Sequence, residues 1–255
     1  MQGVLREKSL DSKKQEELLN GKKDNMLIEL IDKYYKDKRD EKEKLHFYIT
    51  DAGKCLRAVY FEMKGYPKKE KEARILRVFD HGDIIHQKLM GALFGIPEIK
   101  VVASEIDIPP QELFRGRADA IISFQEKLYV VDFKSISDFK FQKLAEPEEA
   151  HKKQLQLYMH YFKIPQGILI YENKNTQDLK EFELPYERSL CEEIIQSFLE
   201  LKYQIEQEIL PPIPLRLKTE REKFFQGEGN FPKECEYCDF REICDKIEKE
   251  RNEIG

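Results

Sequence analysis

The sequence predicts a mixed α/β fold with one central sheet flanked by helices. Three features lead there. Helical periodicity gives way to strand-like alternation near residue 99 and returns near residue 147. Two strand-like segments, 113–124 and 127–134, lie close enough in sequence to form a hairpin. A short run, GILIYE at 167–172, follows a helical stretch and reads as a buried strand.

The elements follow in order. Residues 1–45 are rich in Lys, Glu, Asp and Leu and lack proline. They read as a helical extension, as two helices around Gly21, with Leu27, Ile28, Leu30, Ile31 and Tyr34 at helical spacing. Thr50 and Asp51 open a helix that Gly65 and Pro67 stop, and it carries Cys55, Arg57 and Tyr60. A second helix spans about 70–93, ends near Gly95 and carries Gly82, Asp83 and His86. Strands are expected at 99–108, 113–124 and 127–134. Pro147 opens a helix through Phe162, as a first-turn proline. Strands at 167–172 and 179–184 and a helix at 189–210 follow, the helix with Leu190, Ile194, Phe198, Leu201 and Ile205 on one stripe. The tail, 211–255, begins with three prolines and holds three cysteines. The expected organisation is an extension (1–45), a core (46–210) and a cysteine-rich segment (211–255).

Composition narrows the class. Charged residues make up 36% of 255, and no stretch approaches the roughly 20 apolar residues of a membrane span. The first residues are polar and charged, unlike a secretory signal, so a cytoplasmic location and no membrane partner are expected. The net charge of −5 argues mildly against a nucleic-acid binder. Basic groups need only line a groove, however. Candidates are Lys54 with Arg57, the stretch 68–77, Arg115 with Arg117, and Lys140 with Lys143; a solvated face explains any one of them equally well.

The run Val130-Val131-Asp132-Phe133-Lys134 is the most informative. Alternation sets Asp132 and Lys134 on one face of an apolar strand, with Val131 and Phe133 on the other. A hairpin centred on Gln125-Glu126 places Asp119 opposite Asp132, with Cβ atoms roughly 4.5–5.5 Å apart. Two carboxylates so placed repel, and a divalent cation with oxygen ligands, Mg²⁺ or Mn²⁺, removes the conflict. The turn is the weak point, because Gln-Glu lacks the Gly/Asn signature of a tight hairpin. A surface ion pair at a strand end would explain D-x-K as well. Gln154 and Tyr158, four apart, share a helix face.

The order G-x-x-x-H (Gly82, His86), G-x-A-D (Gly116, Asp119), D-x-K (Asp132, Lys134) and Q-x-x-x-Y (Gln154, Tyr158) resembles the RecB-like branch of the PD-(D/E)xK nuclease superfamily, over roughly residues 50–245. Here Asp132 stands where Glu is more usual. The resemblance implies a restriction-endonuclease-like core. It also implies a metal held by His86, Asp119, Asp132 and the backbone carbonyl of Phe133. Lys134 would position the attacking water, and Gln154 and Tyr158 would hold the DNA or the lysine. Glu105 reads as an outer group or a plain surface carboxylate.

Five cysteines, an odd number in a chain without an export signal, disfavour a disulfide framework. Cys235-x-x-Cys238-x5-Cys244 makes a three-thiolate corner that needs a fourth ligand, and Cys55 is the leading candidate. Cys191, on an amphipathic helix, reads as a packing residue. One early and three late cysteines resemble the iron–sulfur subgroup of the same nucleases, which implies a [4Fe–4S] cluster; zinc, or no metal, are the alternatives. No phosphate-binding G-x-x-x-x-G-K-[ST] loop occurs. The pattern is similar to the small CRISPR-associated Cas-four exonucleases. That likeness implies an exonuclease acting on single-stranded DNA or DNA ends, beside a CRISPR integrase in spacer acquisition. A viral or recombination-associated exonuclease of the same family, and a DNA-end-binding module with weak or no cleavage, are the other readings.

Overall fold

The computed structural model describes residues 25–38, 43–228 and 232–254. In chain order the elements begin with α1 (Met26–Asp37), β1 (Phe47–Tyr48), a 3-10 turn (Ile49–Gly53), α2 (Leu56–Met63) and α3 (Ala73–Gly95). Strands β2 (Lys100–Asp107), β3 (Phe114–Arg115), β4 (Arg117–Phe124) and β5 (Lys127–Ile136) follow, then α4 (Asp138–Lys143) and α5 (Glu149–Phe162). The chain continues through β6 (Gln166–Asn173), β7 (Leu179–Pro185), α6 (Arg188–Glu206), α7 (Leu215–Phe225), α8 (Lys233–Glu236) and α9 (Arg241–Ile254). No described helix is long and apolar enough to cross a membrane.

Five strands form one mixed sheet in the order β2-β4-β5-β6-β7. β5 is central. It pairs antiparallel with β4 and parallel with β6, the crossover running through α4 and α5. Both faces of β5 are buried, which explains its nearly continuous apolar run. Val130 and Ile136 join a core that includes Leu155 and Tyr158 of α5 and Phe198 and Leu201 of α6. Tyr129, Val131 and Phe133 join a second core against Leu89, Met90 and Leu93 of α3. Sheet and flanking helices therefore agree with the predicted class.

Several elements differ from expectation, among them α4, which was not expected, and α5, which begins at Glu149 rather than at Pro147. The single helix expected after Thr50 is split: a 3-10 turn ends at Gly53, and α2 starts after Cys55. A Cβ on Gly53 would stand 2.3 Å from Ala150 Cβ, so the turn is pressed against α5, and Lys54 and Cys55 are extended before α2 begins. The strand expected at 113–124 breaks at Gly116. Phe114–Arg115 pairs with β1, and the Gly116 carbonyl accepts from the Ile108 N–H at 2.9 Å. The tail is helical in α7, α8 and α9. Of the two helices expected before residue 45, α1 covers the second; the first lies outside the described residues.

The chain divides into two compact units, Met1–Glu41 with Lys71–Phe79, and Lys42–Glu70 with Asp80–Gly255. In the first, Arg77 pairs with Asp32. The apolar stripe of α1, including Leu27, Ile28 and Tyr34, is exposed. The second unit holds the sheet.

The hairpin between β4 and β5 takes the predicted centre. Phe124 pairs with Lys127 across a two-residue turn, with φ of 48° at Gln125 and 64° at Glu126. Such turns need positive φ at both positions, which Asn-Gly supplies and Gln-Glu does not. The strands impose the turn, at a cost of about 1 kcal/mol or more per residue. Gln125→Asn with Glu126→Gly should therefore raise stability by about 1 kcal/mol, read as a higher urea midpoint with unchanged slope.

Candidate active site

The site forms where β4 and β5 lie side by side. Their pairing, Ile121 against Val130 and Ala120 against Val131, ends there, and Asp119 and Asp132 are the residues next beyond the last pair. The Phe133 N–H donates to Asp119 Oδ2 at 2.7 Å, so a side-chain carboxylate takes up a strand donor. Asp132 is 2% exposed. Lys134 Nζ lies 2.6 Å from Asp132 Oδ2 and donates to Gln154 Oε1 at 2.9 Å. Gln154 Nε2 in turn reaches Asp132 Oδ1 at 3.4 Å. The lysine charge sits on Asp132 Oδ2 without a well-directed hydrogen bond, which leaves that oxygen buried and open to a further electrophile.

His86 comes from α3, with Nδ1 3.4 Å from Asp119 Oδ2. One turn earlier, Gly82 lets α3 pass close to β5: a Cβ there would meet Ser135 Oγ at 3.3 Å. Asp119, Asp132, Lys134, Gln154 and His86 thus converge. Tyr158 stands one helical turn beyond Gln154, but its hydroxyl donates to the Arg117 carbonyl at 2.7 Å, which ties α5 to β4.

The electrostatics follow from burial. Burial raises the Asp132 pKa, Asp119 adds to the rise, and Lys134 opposes both. Burial works to lower the His86 pKa, but Asp119 and Asp132 outweigh it and the pKa rises. Burial, with Asp132 nearby, pushes the Tyr158 hydroxyl well above its usual range.

A cleft of about 590 Å³ opens beside Asp119 and His86, and Tyr48, Asp83, Glu105 and Arg117 line it. Glu105 lies opposite Asp119 in the β2–β4 register, between the pairs Ser104–Ala120 and Ile106–Ala118. Glu105 has φ of 49° and pairs with Arg117 at 3.2 Å. Several candidate phosphate contacts are committed to acids: Lys54 to Asp51, Arg57 to Glu248, Lys68 to Glu62 and Lys140 to Glu148. Four residues in these surroundings carried no sequence signal. Glu172, 2% exposed, pairs with Lys88 of α3 at 2.6 Å. His151 Nδ1 lies 2.9 Å from the Tyr171 hydroxyl, beside Lys134.

Cys55, Cys235, Cys238 and Cys244 line one cavity, walled also by Ala58, Phe61, Leu217 and Phe240. Burial raises the pKa of the Cys55 and Cys238 thiols and pushes Cys235 up to about 11. Cys191 lies apart, buried, its Sγ donating to the Gln156 carbonyl at 3.3 Å. Among the described residues, no three His, Cys, Asp or Glu side chains converge closely enough to hold a metal ion as they stand. At the sheet, Asp132 is engaged by Lys134, and Asp119 by the Phe133 N–H and His86.

His151 gives the site a pH signature. Burial and the Lys134 charge lower its pKa from 6.5 to about 4; Lys140 adds to this, and Glu148 opposes it. Between those values the unfolded chain is the better proton binder, so stability should fall as pH drops from 6.5 towards 4. The loss should be on the order of 3 kcal/mol. His151→Gln should flatten stability across this window in acid urea titrations. An unchanged slope would remove His151 as the cause.

The chain is 27% identical over 213 residues to the CRISPR-associated exonuclease Cas4 of Saccharolobus solfataricus, covering 80% of this chain and 89% of that protein. Its fold is similar to the crystal structure of SSO0001, with a TM-score of 0.52 and 24% identity, covering 86% of this chain and 96% of the other. The family profile of the PD-(D/E)XK nuclease superfamily matches residues 8–245. With that match spanning nearly its whole length, this chain belongs to the PD-(D/E)XK nuclease superfamily.

Proposed function

We propose that the protein is a metal-dependent DNA exonuclease acting on single-stranded DNA or DNA ends. The observation that carries this is the meeting of Asp119, Asp132, Lys134 and Gln154 where β4 and β5 lie side by side. Two neighbouring carboxylates, one with a buried oxygen lacking a directed hydrogen bond, fit a hard divalent cation such as Mg²⁺ or Mn²⁺. Asp119, Asp132, His86 and the Phe133 carbonyl would hold it. When bound, such an ion polarises a phosphoryl oxygen and acidifies water.

The chain's own groups do the rest. Lys134, held by Gln154, offers a fixed positive charge to the phosphate and orients the attacking water. Asp132 sets the lysine's position through their ion pair. Tyr158 fixes the spacing of α5 and β4, and the cleft by Tyr48 and Arg117 admits a strand of nucleic acid.

In this reading residues 46–210 form the nuclease core and 1–45 an extension. The segment 211–255 closes a [4Fe–4S] cluster with Cys55, through Cys235, Cys238 and Cys244. Four thiols on one largely apolar cavity fit a cluster with thiolate ligands. Similarity to a CRISPR-associated exonuclease over 89% of that protein supports a cytoplasmic role in spacer acquisition beside an integrase.

The test is cleavage of end-labelled single-stranded DNA by anaerobically purified protein with Mn²⁺, Mg²⁺ or chelator. Asp132→Ala and Lys134→Ala should each lower cleavage at least about 100-fold. Binding without cleavage by the native protein would instead favour an end-recognition module. The native protein should hold about four iron and four sulfide per chain. Cys235→Ser should lose iron, solubility and thermal stability together. A stable, active, iron-free protein would sink the cluster.

A further inference from the structure

The cysteine cavity contains a buried arginine with donors to spare. Arg57 stands two residues after Cys55 and is 1% exposed. It lines the same cavity as Cys55, Cys235, Cys238 and Cys244. Its Nη1 donates to Glu248 Oε1 at 2.7 Å, on α9, the helix that also carries Cys244. Among the described residues its Nε and Nη2 are buried and have no hydrogen-bond partner. A buried guanidinium is costly unless protein groups replace its bonds to water. One carboxylate oxygen engages one of its three nitrogens. Buried polar groups ordinarily find partners, so two open donors at the cavity imply an acceptor that the cavity receives.

The surroundings suit an anionic, sulfur-rich acceptor. Arg221 Nη1 lies 3.8 Å from Cys244 Sγ, and the Phe240 N–H donates to Cys238 Sγ at 3.4 Å. The Arg57 charge acts on the Cys55 thiol, and the Arg221 charge on Cys235. Each cysteine sulfur except that of Cys55 thus has a positive or N–H neighbour from outside α2, and Arg57 serves Cys55 from within it.

Resting on the reading of these cysteines as ligands of a [4Fe–4S] cluster, we propose that Arg57 is the cluster's charge partner, its Nε and Nη2 donating N–H···S bonds that raise its reduction potential and slow its loss. Adding an electron to an anionic centre is opposed by the charge already there. A buried cation and donors to sulfur favour the reduced form. Glu248, which neutralises part of Arg57, works in the opposite sense. Arg57 is a positioning and tuning residue and takes no part in phosphodiester cleavage.

The experiment is a reductive titration of the holoprotein, followed by loss of iron to a chelator under argon. It would compare the native protein with Arg57→Met, Arg57→Lys and Glu248→Gln. Arg57→Met should lower the midpoint potential and release iron several-fold faster, and Arg57→Lys should fall between. Glu248→Gln should raise the potential, and it alone decides the matter if the Arg57 variants do not fold. Native potentials and release rates in a cluster-loaded Arg57→Met, or an unshifted Glu248→Gln, would overturn the role of Arg57 and leave the cluster standing. A native protein without iron and sulfide would overturn the cluster and this role together.

Discussion

The site depends on burying the carboxylate of Asp132 beside that of Asp119. Two acids on neighbouring strands repel, and one of them is shut away from water. Surrounding elements answer that cost. Lys134 follows two residues later on the same strand face, α5 supplies Gln154, and α3 supplies His86. The arrangement resists collapse into a plain ion pair because Gln154 holds both members at once. Chemistry that needs localised charge is built on strands rather than loops, where register limits error.

The central strand meets two demands that compete. Its faces must be apolar to join the cores formed with α5 and α6 on one side and α3 on the other. It must also present two charged groups. Alternation resolves this: Val131 and Phe133 stay in the α3 core while Asp132 and Lys134 turn towards α5. The helices then align through polar contacts of their own. Tyr158 ties α5 to β4, and Gln156 links α5 to Pro185 at the end of β7 and to Glu187 just after it.

The cysteine cavity applies similar physics at another place in the same unit. Residues far apart in sequence meet there, with Arg57 joined to Glu248 and the rings of Phe61 and Phe240 5.8 Å apart. Beside it, Asp51 is fully buried and met by Lys44 at 2.7 Å and Lys54 at 2.9 Å. Charge is brought into this part of the fold repeatedly, and paired.

By itself the sequence determined what repeats locally. Alternation marked β5 and the shared face of Asp132 and Lys134, and an apolar helical stripe marked α6, because side-chain direction follows backbone period. The hairpin centre was legible from spacing, although the turn residues argued against it; strand pairing outweighed local preference at Gln125 and Glu126. Tertiary structure alone decided the rest. Position 53 takes only glycine because Ala150 lies against it. Arg57, read as either a phosphate contact or a solvated surface residue, is buried on Glu248, while Glu105 lies opposite Asp119 in the β2–β4 register. His151 and Glu172 gain their settings from Tyr171 and Lys88, each distant in the chain. Such roles are set by pairing partners and by burial, and neither is a property of a residue's own neighbours in sequence.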